Sequence, residues 1–100
     1  MVIENMSNEN LCGYLAYSLA GHDKGNLYVI LSVEGDIAYL ADGRLKLIDR
    51  PKKKKLRHLQ VVKKDFRQVL TESNETAGSI TNENVKRAIK LFLREGKEAD

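Results

Sequence analysis

The feature that most constrains the fold of this chain is the regular alternation of side chains from Leu27 to Val33. Successive residues of a β-strand point to opposite faces, so the apolar residues at every second position of this stretch share one face. The stretch therefore predicts a strand over residues 27–34. Tyr28 falls out of phase with the apolar face, which predicts that its ring is exposed.

Segments of similar character flank this strand. The tyrosine-bearing stretch 13–18 favours a first strand, and three later stretches favour a third, fourth and fifth strand, at residues 37–41, 45–49 and 56–62. Asp42-Gly43 predicts a type I′ hairpin turn because both central residues of that turn need positive φ. Five short strands joined by tight turns are typical of a small SH3-like barrel, so we expect a mainly β fold.

The last part of the chain changes to helical spacing. Its apolar residues recur at i, i+3, i+4, i+7 and i+8, which predicts a helix over residues 82–95. Thr81 is a favourable N-cap, and Gly96 is a favourable terminator. Upstream, Phe66, Val69 and Leu70 indicate a short helical turn that packs on the barrel, followed by a polar loop at 73–78.

Length and composition predict a single domain with three parts. We expect a flexible tail at residues 1–10, the barrel at 11–64 and a C-terminal extension at 65–100. The single cysteine, Cys12, excludes an internal disulfide and suits a reducing compartment. The first ten residues lack the apolar run of a secretory signal, and no stretch approaches the roughly 20 apolar residues of a membrane helix. These features predict a cytoplasmic protein that does not bind membranes.

The net charge of +3 conceals a strongly basic segment. Residues 44–64 contain ten Lys or Arg residues and one acid, whereas the remaining chain has a net charge of −6. A positive field concentrated in one fifth of the chain favours a polyanionic partner. Four of the basic residues are consecutive lysines. Because they cannot all point one way in a strand, we expect the run to lie in a loop or to fan across a sheet edge.

Residues 13–62 resemble the KOW motif, a short β-hairpin element of RNA-binding proteins in ribosomes and transcription complexes. The resemblance rests on the glycine-flanked loop 20–25, the alternating strand after it and the basic segment downstream. Gly25 stands where the family needs glycine, and Asp23-Lys24 is similar to the family's acidic–basic pair. The resemblance implies an SH3-like barrel that binds RNA, ribosomal RNA above all, in the ribosome or during its assembly.

The candidate RNA-binding residues are the cations of the loop and of the basic segment. Arginine binds phosphate in a bidentate manner, and lysine acts as a point charge. If they lie on adjacent strands, these side chains merge into one patch; the set is Lys24, Arg44, Lys46, Arg50, Lys52, Lys53, Lys54, Lys55, Arg57 and His58. Gly25 and Gly43 are predicted as structural turn residues. An exposed Tyr28 would stack on a base.

Other chemistry has little support in this sequence. His22, His58 and Cys12 lack the spacing of a zinc site, and no nucleophile–base pair is apparent, so we expect neither an enzyme nor a cofactor. Two alternatives to RNA binding stay open. The basic run is a solvated face, or the barrel is a protein-interaction module that docks onto a ribosomal, transcription or translation protein. The C-terminal helix either covers one mouth of the barrel or docks onto such a partner.

Overall fold

The fold consists of a curled antiparallel sheet and one long helix. The computed structural model describes residues 11–66, 69–70 and 80–99. Its strands are β1 (Tyr14–Ser18), β2 (Leu27–Glu34), β3 (Ile37–Ala41), β4 (Lys52–Lys55) and β5 (Leu59–Asp65), with a 3₁₀ turn η1 (Leu56–His58) and a helix α1 (Asn82–Ala99). The strand order is β4-β3-β2-β1-β5, with neighbours antiparallel. The predicted fold class is confirmed, and the curled half-barrel is consistent with a small SH3-like barrel.

Two irregularities in the strand register accompany the curl of the sheet. One lies between Ile30 and Ser32, where β2 has an extra residue opposite β3, and the other faces Tyr14–Ala16 of β1, where β5 has the extra residues. An extra residue on one strand bends that strand and increases its twist. The sheet consequently buries apolar side chains on both faces. The inner cluster consists of Ala16, Tyr28, Ile30, Ala38, Leu40 and Leu59.

The outer face of the sheet is covered by α1. Leu15, Val29 and Ala41 of the sheet share a cluster with Val85 and Ala88 of the helix. The ring of Phe92 also packs edge-on against Tyr17 and against Phe66, with both pairs of ring centroids 6.2 Å apart. The apolar spacing of α1 is therefore explained by packing on the barrel.

The ends of α1 agree with the prediction at one terminus only. Thr81 is the N-cap as predicted, since its hydroxyl oxygen accepts the Asn84 N–H at 3.1 Å. The prediction that the helix ends before Gly96 is wrong, because α1 continues to Ala99. A glycine inside an exposed helix costs about 1 kcal/mol, which good helix formers after it can offset.

The predicted fourth strand is also wrong. Residues 45–49 form a loop, and β4 is the lysine run itself. Asp42 explains the difference, because its carboxylate Oδ1 accepts three consecutive backbone N–H groups, those of Arg44, Leu45 and Lys46, at 2.8–3.0 Å. This side chain closes the loop locally, so the two-residue hairpin predicted at Asp42-Gly43 does not form.

At the site of the predicted helical turn after the barrel, Val69 and Leu70 are helical, and the Leu70 N–H donates to the Phe66 carbonyl at 3.0 Å. The predicted tail at residues 1–10 and loop at 73–78 lie outside the described residues. In the part of the chain that the structure describes, no helix has the length and apolar character needed to cross a membrane.

Candidate nucleic-acid interface

The four lysines of β4 divide into two pairs because strand side chains alternate. β4 is an edge strand that pairs only with β3 among the described strands. Lys52 and Lys54 are half-buried, whereas Lys53 and Lys55 are exposed. Lys54 lies opposite Ala38 and Lys52 opposite Leu40, both of the inner cluster. The first pair therefore points into the curl of the sheet, and the second pair points away from it.

The inward pair is held by a single carboxylate, that of Asp23. Lys54 Nζ lies 3.1 Å from Asp23 Oδ1, and the two side chains are only 11% and 13% exposed. The same ammonium donates to the Ala20 carbonyl at 3.0 Å. Lys52 Nζ is 3.7 Å from Asp23 Oδ2. The loop between β1 and β2 is thus fastened to β4 by charge-assisted bonds.

Two hydroxyl groups complete the set of donors to Asp23. Ser18 Oγ donates to Oδ1 at 2.9 Å, and Tyr28 Oη donates to Oδ2 at 2.8 Å. Each carboxylate oxygen therefore accepts a neutral donor and faces a lysine. No buried side-chain nitrogen or oxygen among the described residues lacks a hydrogen-bond partner. The Lys54 ammonium is accordingly hydrogen-bonded inside the fold, and Lys52 shares the single negative charge of Asp23 with it.

The same contacts fix the charge state of this cluster. Burial by itself raises the pKa of Asp23, but the hydrogen bonds from Tyr28, Ser18 and Lys54 and the charge of Lys52 outweigh it and hold that pKa well below its usual range. Burial and the neighbouring Asp23 carboxylate raise the pKa of Tyr28 to about 12, although a hydrogen bond with Asn26 acts in the opposite direction. At neutral pH, Asp23 is therefore charged, and Tyr28 keeps its proton.

The fastened loop presents Lys24 to solvent. The Gly25 N–H donates to the Ser18 carbonyl at 2.8 Å, and the Asn26 N–H donates to the Asp23 carbonyl at 2.9 Å. Gly25 has φ of 92°, and an added Cβ would meet nothing within 4 Å. Glycine is favoured at this position by its backbone conformation and not by lack of space. Lys24 is exposed beside Asp23, and no side-chain contact to another described residue holds it.

On β4 and η1, the exposed cations are Lys53, Lys55 and Arg57. Lys53 Nζ lies 5.8 Å above the ring of Tyr39, within the range of a cation–π contact. Tyr39 Oη in turn donates to Glu34 at 3.0 Å, and this hydrogen bond raises the pKa of the phenol. No carboxylate among the described residues forms an ion pair with these three cations.

The other predicted site residues lie elsewhere. Arg44, Lys46 and Arg50 are exposed on the loop between β3 and β4, not on a strand beside the lysine run. Arg44 lines a groove against α1. His58 is half-buried on η1, and its carbonyl accepts the Leu19 N–H at 2.8 Å. The expectation that these residues stand on strands adjacent to the lysine run is therefore wrong.

Two aspects of the site escaped the sequence analysis. Tyr28 was predicted to be exposed but is only 2% exposed, because β2 is covered on both faces near its start. Its ring is not available to stack on a base. The role of Asp23 was also missed. A signal existed in the lysine run, because a strand of four lysines must direct two of them inward, where they need a carboxylate.

Metal binding has no geometric support in the described residues. Nowhere among them do three His, Cys, Asp or Glu side chains lie close enough to hold an ion. Cys12 instead donates its thiol to the Leu31 carbonyl at 2.9 Å.

Comparison with known proteins assigns no family. No protein-family model matches this chain, and no curated protein matches it. The resemblance to KOW proteins therefore stays a prediction from the sequence.

Proposed function

We propose that this protein is a non-catalytic RNA-binding protein that contacts phosphates through Lys24, Lys53, Lys55 and Arg57. A single observation carries the proposal: Lys52 and Lys54 are engaged by Asp23, while Lys53, Lys55 and Arg57 remain exposed and unpaired with any described carboxylate. Exposed cations without counter-charges are the groups that release counterions when they bind a phosphate backbone.

The backbone that holds the proposed phosphate-binding residues is ordered, which favours binding. Lys53 and Lys55 stand on a strand that is hydrogen-bonded to β3, and Lys24 stands on a loop that Asp23 fastens to that same strand. Because the backbone of these residues is already ordered, binding costs less conformational entropy than it would on an unfolded basic tail. Four phosphate contacts give only modest affinity, and they recognise backbone phosphate rather than base sequence.

The choice of RNA rests on the sequence. The resemblance to KOW proteins favours ribosomal RNA, and the protein would act in the cytoplasm, in the ribosome or in its assembly. A competing explanation is that lysines on an exposed strand edge prevent edge-to-edge aggregation. That role requires no ligand, so measured binding separates the two explanations.

The test is fluorescence-anisotropy binding to a structured ribosomal RNA fragment, with duplex DNA of equal length as competitor. The double variant Lys53→Ala/Lys55→Ala removes two phosphate contacts, which corresponds to about 25-fold weaker binding at 0.1 M salt when each contact contributes the roughly 0.7 of a single-stranded region. The control is Lys90→Gln/Arg94→Gln, which removes two exposed cations of α1.

We expect the protein to prefer RNA, the β4 variant to lose about 25-fold in affinity and the α1 variant to lose less than about threefold. Equal losses in the two variants would show that only net charge matters. Absence of binding at low salt would leave the lysines as protection of the strand edge and would overturn the proposal.

A further inference from the structure

We infer that the groove between α1 and the loop after β3 binds an acidic, leucine-bearing segment of a partner protein. The groove has a volume of about 980 Å³. It is lined on the helix by Lys86, Ile89, Lys90 and Leu93, and on the barrel by Arg44 and Leu27. This surface is distinct from the outward lysines of β4, so the inference does not depend on RNA binding.

One exposed leucine lies in the groove. Leu93 lines the groove and is 49% exposed, whereas Leu45, which follows Arg44 in the sequence but is not a lining residue, is 85% exposed. The large apolar residues exposed among the described residues are these two and Leu19, which lies on the loop after β1. An exposed leucine on a concave surface that is also lined by Leu27 and Ile89 is typical of a protein-interaction site.

The charged residues of the groove indicate that the partner segment is acidic. Its two acids are already engaged, since Asp42 accepts three backbone N–H groups and Glu83 lies 3.2 Å from Lys86. Arg44 and Lys90 are exposed, and no ion pair joins either of them to another described residue. An occupant with carboxylates at its edges would pair with these two cations.

The walls of the groove are preformed. Gly43 lies so close to the helix that an added Cβ would be 2.5 Å from the Asn82 carbonyl oxygen. The Ile48 N–H donates to Asn82 Oδ1 at 2.9 Å, which ties the far end of the loop to the start of α1. Because the walls of the groove are already held in place, binding a peptide does not require the conformational entropy cost of ordering them.

An acidic peptide fits this surface better than a second stretch of RNA does. Single-stranded RNA is bound largely by stacking of its bases on exposed aromatic rings, whereas the aromatic ring lining the groove, that of Tyr17, packs against Phe92. Leucine side chains offer no planar surface. They are matched by aliphatic side chains, and an amphipathic segment with leucines on one side and glutamates or aspartates on the other satisfies both features.

The experiment is selection of short random peptides displayed on phage against the full chain, with the Leu93→Ser variant used for counter-selection. We expect the enriched peptides to combine Asp or Glu with Leu or Ile. One synthetic consensus peptide is then titrated by calorimetry against wild type, Leu93→Ser, Lys90→Gln and the matched control Leu19→Ser. Leu19 is 45% exposed, close to the exposure of Leu93.

Loss of one well-buried apolar contact lowers affinity about tenfold, so we expect that loss for Leu93→Ser, a smaller loss for Lys90→Gln and none for Leu19→Ser. Circular dichroism confirms that each variant is folded. Failure to enrich any peptide over the counter-selection overturns the inference, as does equal binding to Leu93→Ser. Displacement of the peptide by single-stranded RNA would assign the groove to nucleic acid and also overturn it.

Discussion

Replacement of Asp23 by alanine is expected to destabilise the fold more than any other single change to a charged residue in the site. The carboxylate accepts hydrogen bonds from Ser18, Tyr28 and Lys54 at 2.8–3.1 Å. Without it, the Lys54 ammonium keeps only the Ala20 carbonyl, in a side chain that is 11% exposed. The hydroxyl of the buried Tyr28 also loses its acceptor.

The size of this destabilisation follows from the two groups that lose the carboxylate, the Lys54 ammonium and the Tyr28 hydroxyl. Removing one partner of a largely buried ion pair costs about 3–5 kcal/mol, and the orphaned hydroxyl adds to the upper part of that range. We therefore expect the free energy of unfolding to fall by at least about 3 kcal/mol. For a domain of this size, each kcal/mol lowers Tm by about 4–8 °C, so Tm should fall by at least about 12 °C.

Urea unfolding followed by circular dichroism measures this free energy, with Asp36→Ala as the control. Asp36 is exposed in the turn between β2 and β3, and its carboxylate bonds to no described residue. Its replacement should cost less than about 0.5 kcal/mol. Equal stability of the two variants would refute the idea that Asp23 fastens the loop to β4.

Three further predictions follow from the same contacts. Tyr28→Phe removes one donor to a charged acceptor at 2.8 Å and should cost about 1.5–3 kcal/mol in urea unfolding, with no change in the spectroscopic signature of the fold. Because the folded pKa of Asp23 is depressed, its stabilisation is present above the unfolded pKa of about 3.9 and is lost as pH falls toward the folded value. Wild-type stability should therefore decline in acid more steeply than that of Asp23→Asn, and parallel declines would contradict the assignment. Gly43→Ala adds a clash with the Asn82 carbonyl to a positive φ of 79°, whereas Gly25→Ala meets open space at a φ of 92°. The first substitution should thus cost clearly more than the roughly 1–2 kcal/mol of the second in thermal unfolding.

The elements that were predicted correctly are those whose periodicity is decided locally. β2 and β3 have the predicted bounds, and α1 starts where the Thr81 cap and the apolar spacing place it. In each case, one face of the element must be buried, and the order of apolar residues specifies which face.

The fourth strand was misplaced because contacts distant in sequence decide that region. Leu45 and Leu47 alternate with charged residues as a strand would, and Asp42-Gly43 fits a hairpin turn. The outcome depends on the packing of Gly43 against α1 and on Asn82 accepting the Ile48 N–H, and both contacts bring together residues more than thirty positions apart. No local sequence pattern predicts these two contacts.

The candidate site was predicted in composition but not in arrangement. The sequence singled out the lysine run, yet it gave all four lysines the same role. Alternation along β4 and the presence of Asp23 divide them into an inward pair that stabilises the loop and an outward pair that is exposed. Recognising that division required knowing which strand lies across from the loop, which depends on the curl of the sheet.

The most direct test of the proposed function is the salt dependence of RNA binding. If Lys24, Lys53, Lys55 and Arg57 each neutralise one phosphate, log K against log salt should have a slope of about −2.8 on single-stranded RNA. The Lys53→Ala/Lys55→Ala variant should bind with a slope of about −1.4 while unfolding at the same urea concentration as wild type. An unchanged slope in that variant would contradict the account, because the outward lysines of β4 would then make no contact with phosphate.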